Sequence, residues 1–259
     1  MIMKRIHIFI AVLMTACFYS HASIIAFDDS SDPVYANGWG WQDGGSGFET
    51  WLWGGDWYTA NANKYINSDI PGEQGFRLQA NEGSEVRASR KFDASLNANE
   101  TFSLNLGHIG GNDGELEIAL IAETYTVFNI KLNSASSYWQ AFDGSTFDLN
   151  DSNGMADYFT TDNENAEFTF TYYGGNNYGM TLTDSSGNGY NLDTKVATSV
   201  TASEMALINQ VKIRNSGQGN GNNFYTDNLQ IEVIPEPATL SLFGLFGLVG
   251  IFIRRKFAG

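Results

Sequence analysis

The chain has 259 residues, 29 of them acidic and 14 basic, for a formal charge of -15. That length suits one sizeable domain or two small ones once the ends are set aside. Between Ser23 and Pro235, nine cations stand against 28 acids, a net charge near -19 with no basic patch to neutralise a phosphate backbone, which excludes nucleic acid as a partner.

The N-terminus reads as an export signal. Lys4 and Arg5 precede an apolar run from Ile6 to Phe18, and Ser20 and Ala22 occupy the small-residue positions that a signal peptidase reads. Residues 1-22 are therefore expected to form a signal helix that is removed by cleavage after Ala22. The single cysteine, Cys17, lies inside this segment, so the mature chain has no thiol for a disulfide, a metal site or a nucleophile. In the alternative, "MTAC" (Met14 to Cys17) is similar to a lipoprotein signal that would lipidate Cys17, with Met14 where leucine is usual. A strongly acidic body rich in Asn, Ser, Thr and Gly suits a secreted protein in a hydrated, cation-containing matrix, and suits plain solubility equally well.

Five of the six tryptophans follow in "GWGWQDGGSGFETWLWGGDW": Trp39, Trp41, Trp51, Trp53 and Trp57. In strands, Trp39 and Trp41 would share a face, as would Trp51 and Trp53. Indole faces beside Asp, Asn and Gln are what a glycan-binding surface needs, because pyranose C–H faces stack on the ring while hydroxyls take hydrogen bonds. The competing expectation is that these rings fill the core.

From Phe76 onward the apolar pattern has period two. "ETFSLNLGHI", "ELEIALIA" and "TVFNIKL" read as short strands, as does "EFTFTYY", where Phe168, Phe170 and Tyr172 alternate with threonine and tyrosine. "YGMTLTDSSGNGYNLD" reads as strand, turn, strand, and a glycine–asparagine loop separates Val211 and Ile213 from a closing strand through Leu229, Ile231 and Val233. Only Ser199 to Gln210 offers a helical turn, with Glu204 near a Thr or Ser cap. This pattern predicts an all-β, antiparallel two-sheet sandwich of jelly-roll or concanavalin-like type over residues 23-234. Pro235 and Pro237 would end its last strand, because neither has an N–H for the ladder.

Three groups could carry chemistry. His108 is the only histidine after the signal, and "LGHIGG" has neither a nucleophile elbow nor a visible triad partner. Glu115 and Glu117 lie two apart on a predicted strand, hence on one face and roughly 7 Å apart. Their setting, "GELEIAL", resembles the catalytic strand of the laminarinase-like glycosidases, acid-x-acid-x-x-acid. That resemblance implies a nucleophile and an acid about 5–5.5 Å apart, but Leu120 stands in place of the third carboxylate. "DLNDSNGMAD" gathers oxygen donors suited to calcium around Gly154; Asp151, Asn153 and Asp157 take ligand positions of an EF-hand-type loop, but Leu149 and Thr160 occupy its first and last places. The reading is therefore of a non-enzymatic protein with no required cofactor, calcium being the one candidate metal.

The tail is tripartite: Pro235-Glu236-Pro237, an uncharged run from Ala238 to Ile253, and Arg254, Arg255 and Lys256. The run would make about 24 Å of helix, slightly short of a hydrocarbon core of roughly 30 Å, and the cations would hold its end in the cytoplasm. Part for part this resembles the PEP-CTERM sorting signal of exported Gram-negative-type bacterial proteins. The resemblance implies handling by an exosortase, a membrane protease that recognises the PEP motif, transient anchoring in the inner membrane at residues 235-259, and delivery to the cell surface or exopolysaccharide matrix. The stretch Ala26 to Trp51 resembles the opening of uncharacterised exported β-sandwich proteins, and "FYTDNLQIEV" the last strand of carbohydrate-binding sandwiches. The function expected is an exported surface or matrix protein associated with exopolysaccharide; the alternatives are a glycoside hydrolase using Glu115 and Glu117, or a purely structural matrix component.

Overall fold

Alternation of apolar and polar residues allows a strand to bury one face, and the longest alternating runs form the longest ladders. In the computed structural model, residues 22–39, 41–55, 62–70, 73–80, 83–109, 114–133, 139–149, 164–184, 189–217 and 222–234 are described. Fifteen strands are found among them: β1 (Ser23–Asp28), β2 (Leu52–Gly55), β3 (Ala62–Ile70), β4 (Glu73–Ala80), β5 (Glu85–Lys91), β6 (Glu100–Ile109), β7 (Gly114–Ala122), β8 (Tyr125–Asn133), β9 (Gln140–Phe142), β10 (Thr146–Asp148), β11 (Glu164–Gly174), β12 (Asn177–Asp184), β13 (Gly189–Val196), β14 (Ile208–Gly217) and β15 (Asn222–Val233). The helical turn expected between Ser199 and Gln210 is α1 (Ala202–Met205). It starts at a capping box in which the Glu204 N–H donates to Thr201 Oγ1 and the Thr201 N–H donates to Glu204 Oε2.

The strands form two antiparallel sheets, so the expected sandwich is what the chain adopts. One sheet runs β13-β12-β11-β6-β15-β4-β3, with β1 also paired to β15; the other runs β10-β9-β8-β7-β14-β5-β2. Register places apolar residues side by side: Phe168, Phe170 and Tyr172 of β11 face Leu182, Met180 and Tyr178 of β12. Phe128 of β8 reaches across to the opposite sheet, its ring centroid 4.9 Å from Phe170, 5.3 Å from Tyr178 and 6.3 Å from Phe168. Asn215 of β14 is buried with them and donates from Nδ2 to the Leu78 carbonyl of β4 at 2.9 Å, a polar tie between the sheets.

A second tie closes one edge. Asp143, in the turn between β9 and β10, accepts hydrogen bonds from Tyr178 Oη at 2.8 Å and Lys195 Nζ at 2.7 Å. Lys195 in turn lies 3.4 Å from the centroid of the Phe147 ring. Burial pushes the Asp143 carboxyl up, but the bonds from Lys195 and Tyr178 outweigh it and hold the group below its usual range.

Ile24–Glu232 is one compact unit; Met1–Ser23 and Val233–Gly259 form another. The expected signal helix and transmembrane helix lie outside the described residues. Among the described residues, no helix is long and apolar enough to cross a membrane.

Asp227 of β15 ties β15 to the segment after β1: its Oδ1 accepts the Ser30 N–H at 2.8 Å. Burial raises the Asp227 carboxyl to about 6, from an ordinary 3.8. A carboxyl raised in the folded state gives stability that is complete below its unfolded value and is lost as pH rises through its folded value. Between pH 4 and 6 this one group should therefore lower the unfolding free energy by at most about 3 kcal/mol. Asp227→Asn should remove that slope, which urea titrations at pH 4.5 and pH 7 measure; an unchanged slope would mean that Asp227 titrates like an exposed acid. Asp143 acts in a separate window, its contribution being lost only as pH falls below about 3.8.

Candidate functional site

The segment between β1 and β2 determines which tryptophans are available. Asp32 caps a single 3-10 turn, Pro33–Tyr35, by accepting the Val34 N–H, with proline in the first turn where its missing N–H costs nothing. The chain then runs through Trp39 into a turn closed by the Gln42 N–H donating to the Trp39 carbonyl at 3.3 Å. Trp39 and Trp51 are fully buried, their rings meeting edge to face at 4.8 Å. Trp53 packs on Trp39 at 4.2 Å, half-buried at the core's edge. These three rings are core, as the competing expectation had it, and no face of Trp39 or Trp51 is open to a sugar.

Trp41 differs. It is not in a strand, so the period-two rule that would pair it with Trp39 does not apply. Its φ is +67°, the left-handed region that a bulky residue avoids, and this backbone turns the side chain outward, leaving it 60% exposed. The Trp51 N–H donates to the Gln42 carbonyl, so this turn runs beside the start of β2, where Leu52 is also exposed. Trp57 lies outside the described residues.

Holding that segment in place is a buried polar cluster. Arg90 points inward from β5 and is fully buried, as is Asp28 at the end of β1, and the two form an ion pair. Asp28 also accepts from Tyr35 Oη at 2.8 Å and Trp51 Nε1 at 3.1 Å. Arg90 donates to the Glu49 and Gly44 carbonyls at 2.7 and 2.6 Å and to Asp43 Oδ1 at 3.2 Å. Its guanidinium carbon stands 5.2 Å from the Phe48 centroid and 5.4 Å from that of Trp51. Burial lowers the guanidinium to about 10 and raises the Tyr35 hydroxyl to about 12, so the first stays charged and the second neutral at pH 7. The glycines of "DGGSGF" fit around it: a Cβ on Gly45, whose φ is +71°, would stand 2.0 Å from the Phe27 carbonyl oxygen.

Glu115 and Glu117 occupy the outward face of β7, the middle strand of the seven-stranded sheet. There the register builds continuous rows across strands. One row reads Gly54, Arg87, Arg214, Glu117, Lys131 and Gln140; the next reads Leu52, Ser89, Lys212, Ala119, Asn129 and Phe142. Glu117 is 7% exposed. Its Oε1 accepts from Asn129 at 2.7 Å, and its Oε2 accepts from Arg214 Nε at 3.0 Å and pairs with Lys212 at 3.3 Å. Glu115 pairs with Arg214 and with Lys131 at 3.7 Å, and Glu85 pairs with Arg214 at 3.0 Å and Arg87 at 3.7 Å. Both candidate catalytic carboxylates are thus engaged by cations.

The backbone of His108 is in β6, opposite Glu164. Asp151, Asn153 and Asp157 lie outside the described residues, as do Pro235, Glu236, Pro237, Arg254, Arg255 and Lys256. Among the described residues no group of three or more His, Cys, Asp or Glu side chains could hold a metal. Sequence reasoning missed Asp28, Tyr35, Arg90 and the cross-strand row; the available signal was Arg90 on the apolar phase of Val86, Ala88 and Phe92.

None of the curated proteins matches the chain in sequence. Among solved structures, the catalytic domain of a GH131 β-glucanase from Podospora anserina is similar over 82% of this chain and 98% of its own, at 14% identity and a TM-score of 0.50. A structure from work on endo-acting O-glycanases of the human gut microbiota is similar over 83% of this chain and 100% of its own, at 8% identity and a TM-score of 0.50. The carbohydrate-binding module CBM66 from Bacillus subtilis matches 70% of this chain and 94% of its own, at 10% identity and a TM-score of 0.41. The first two likenesses show a shared β-sandwich fold. The family described as the PEP-CTERM protein-sorting motif matches residues 233–256, beginning on the last residue of β15. The chain is therefore a β-sandwich protein bearing a PEP-CTERM sorting motif, which implies export and processing by an exosortase.

Proposed function

We propose that this protein is a non-enzymatic surface or matrix component, held in the inner membrane by its tail until processing, whose sandwich then binds extracellular polysaccharide. The observation that carries this reading is Trp41, a tryptophan presented to solvent from a strained backbone beside β2, the edge strand of a sheet whose outward face carries hydrogen-bonding side chains from Arg87 to Gln140. A left-handed tryptophan costs about 1–3 kcal/mol, and a stacking role for its ring accounts for keeping it. The engagement of Glu115 and Glu117 by Arg214, Lys131 and Lys212 supports the non-enzymatic half: neither carboxylate is free to attack or to protonate a leaving oxygen.

The test is retention of the full chain, purified in non-ionic detergent, on immobilised polysaccharides that include the producer's own. Trp41→Ala should weaken retention at least about tenfold, while Trp41→Gly should do the same and raise stability by up to about 1 kcal/mol by relieving the backbone. No retention on any polysaccharide would end this reading and favour a purely structural matrix role. A second reading, a glycoside hydrolase, draws on the outward placement of Glu115 and Glu117 on a central strand. It predicts release of reducing sugar from a β-glucan that disappears in Glu117→Gln; without such release in the unaltered chain it has no basis.

A further inference from the structure

The row across the seven-stranded sheet says what kind of polysaccharide this face would take. Of the nine cations between Ser23 and Ile234, five belong to the outward phase of this one sheet: Arg87 and Lys91 of β5, Lys131 of β8, and Lys212 and Arg214 of β14. Arg90 points inward, Lys195 serves Asp143, and Lys64 of β3 and Arg77 of β4 are on the other sheet. Against the five stand four carboxylates of the described strands, Glu85, Glu115, Glu117 and, by register beside Gln140, Asp148. A domain carrying about -19 thus gathers its cations on one face and leaves them in excess there.

The carboxylates hold those cations upright. Glu115 and Glu117 brace Lys131, Lys212 and Arg214, and Glu85 spans Arg87 and Arg214. Arg87 and Arg214 are direct cross-strand partners, a like-charge pairing that destabilises a sheet unless an anion answers it, as Glu85 does here by pairing with both. Gly54 makes room for this: a Cβ there would lie 2.4 Å from Arg87 Nε, so the guanidinium lies over the backbone of the edge strand and is 53% exposed. Along the row Arg87 and Arg214 sit on adjacent strands about 4.8 Å apart, close to the length of one sugar unit in an extended chain, and Lys131 lies two strands beyond Arg214, about 9.6 Å away.

We infer that the ligand of this face is an anionic, carboxylate-bearing polysaccharide lying across β5, β14, β7 and β8, its acid groups paired with Arg87 and Lys131 and its path ending beside Trp41. Arginine's planar fork matches a carboxylate through two parallel hydrogen bonds, and the surplus charge of the face sets it apart from the repelling remainder of the domain. This inference rests on the polysaccharide-binding reading above and specifies its ligand.

The experiment compares the full chain, and its Arg87→Gln/Lys131→Gln double variant, on immobilised polygalacturonate and on neutral dextran, with circular dichroism as the check on folding. Retention on polygalacturonate but not dextran, weakened about tenfold in the double variant and reduced in 0.5 M salt, is the expected result. Arg87→Gln alone changes only an exposed side chain and should give a smaller drop in the same direction. Equal retention on both polymers, unaffected by the variants, would overturn the anionic ligand and leave polysaccharide binding standing. Retention on neither, nor on the producer's polymer, would overturn both.

Discussion

Asp28→Ala should destabilise the domain by about 3–5 kcal/mol, the cost of leaving a buried cation without its counter-ion. Arg90 would keep Asp43 at 3.2 Å, but that side chain is 60% exposed and is a weak substitute. Two further donors lose their acceptor in the same stroke, Tyr35 Oη and Trp51 Nε1, and each buried group left unpaired adds to the loss. The effect should reach beyond stability, because this cluster fixes the segment that carries Trp41. Guanidinium denaturation measures the energy, and a tryptophan emission shift that Trp41→Phe diminishes in the same background would report the loosened turn. The double replacement Asp28→Leu/Arg90→Met should be less damaging than the sum of the single ones, since it removes both charges together. A loss below 1 kcal/mol in Asp28→Ala would show that the pair is not a structural pin.

Phe128→Ala should cost a further independent 3–5 kcal/mol, in the range for deleting a buried aromatic ring. Phe128 is 1% exposed and is shared among three rings of the opposite sheet, Phe168, Phe170 and Tyr178. No single neighbour can collapse into the gap, because all three are strand residues set by the β11–β12 register. In a domain of this size the thermal midpoint should fall by about 10 °C. Phe128→Leu, which keeps most of the volume, should cost well under half as much, and equal losses in the two variants would contradict the packing account.

Where burial is one-sided and the chain regular, the strands were legible. "ETFSLNLGHI" is β6 from end to end, and the alternation of Phe168, Phe170 and Tyr172 is the core face of β11. The first three strands were not legible, because β1 and β2 are short and glycine-rich turns interrupt their phase. The same interruption explains Trp41: two residues from Trp39 means one face only in a strand, and here a turn with positive φ intervenes. Arg90 was readable in principle, since it takes the inward phase between Ala88 and Phe92, where a cation requires a buried partner. The charged row could not be read at all. It depends on β14 lying between β5 and β7, a neighbourhood that local pattern does not encode, and so the pairing of Glu115 and Glu117 with Arg214 was not legible.

The position of β15 has a consequence for the order of events during export. This last strand lies inside its sheet, between β6 and β4, and also pairs with β1, the first of the described strands. The eight-stranded sheet is therefore incomplete until the final residues before the sorting motif are free to pair, and the slow, long-range step of folding is the last one available. A chain built this way closes its N-terminal strand against its C-terminal one only when β15, the segment just before the sorting motif, is free to fold.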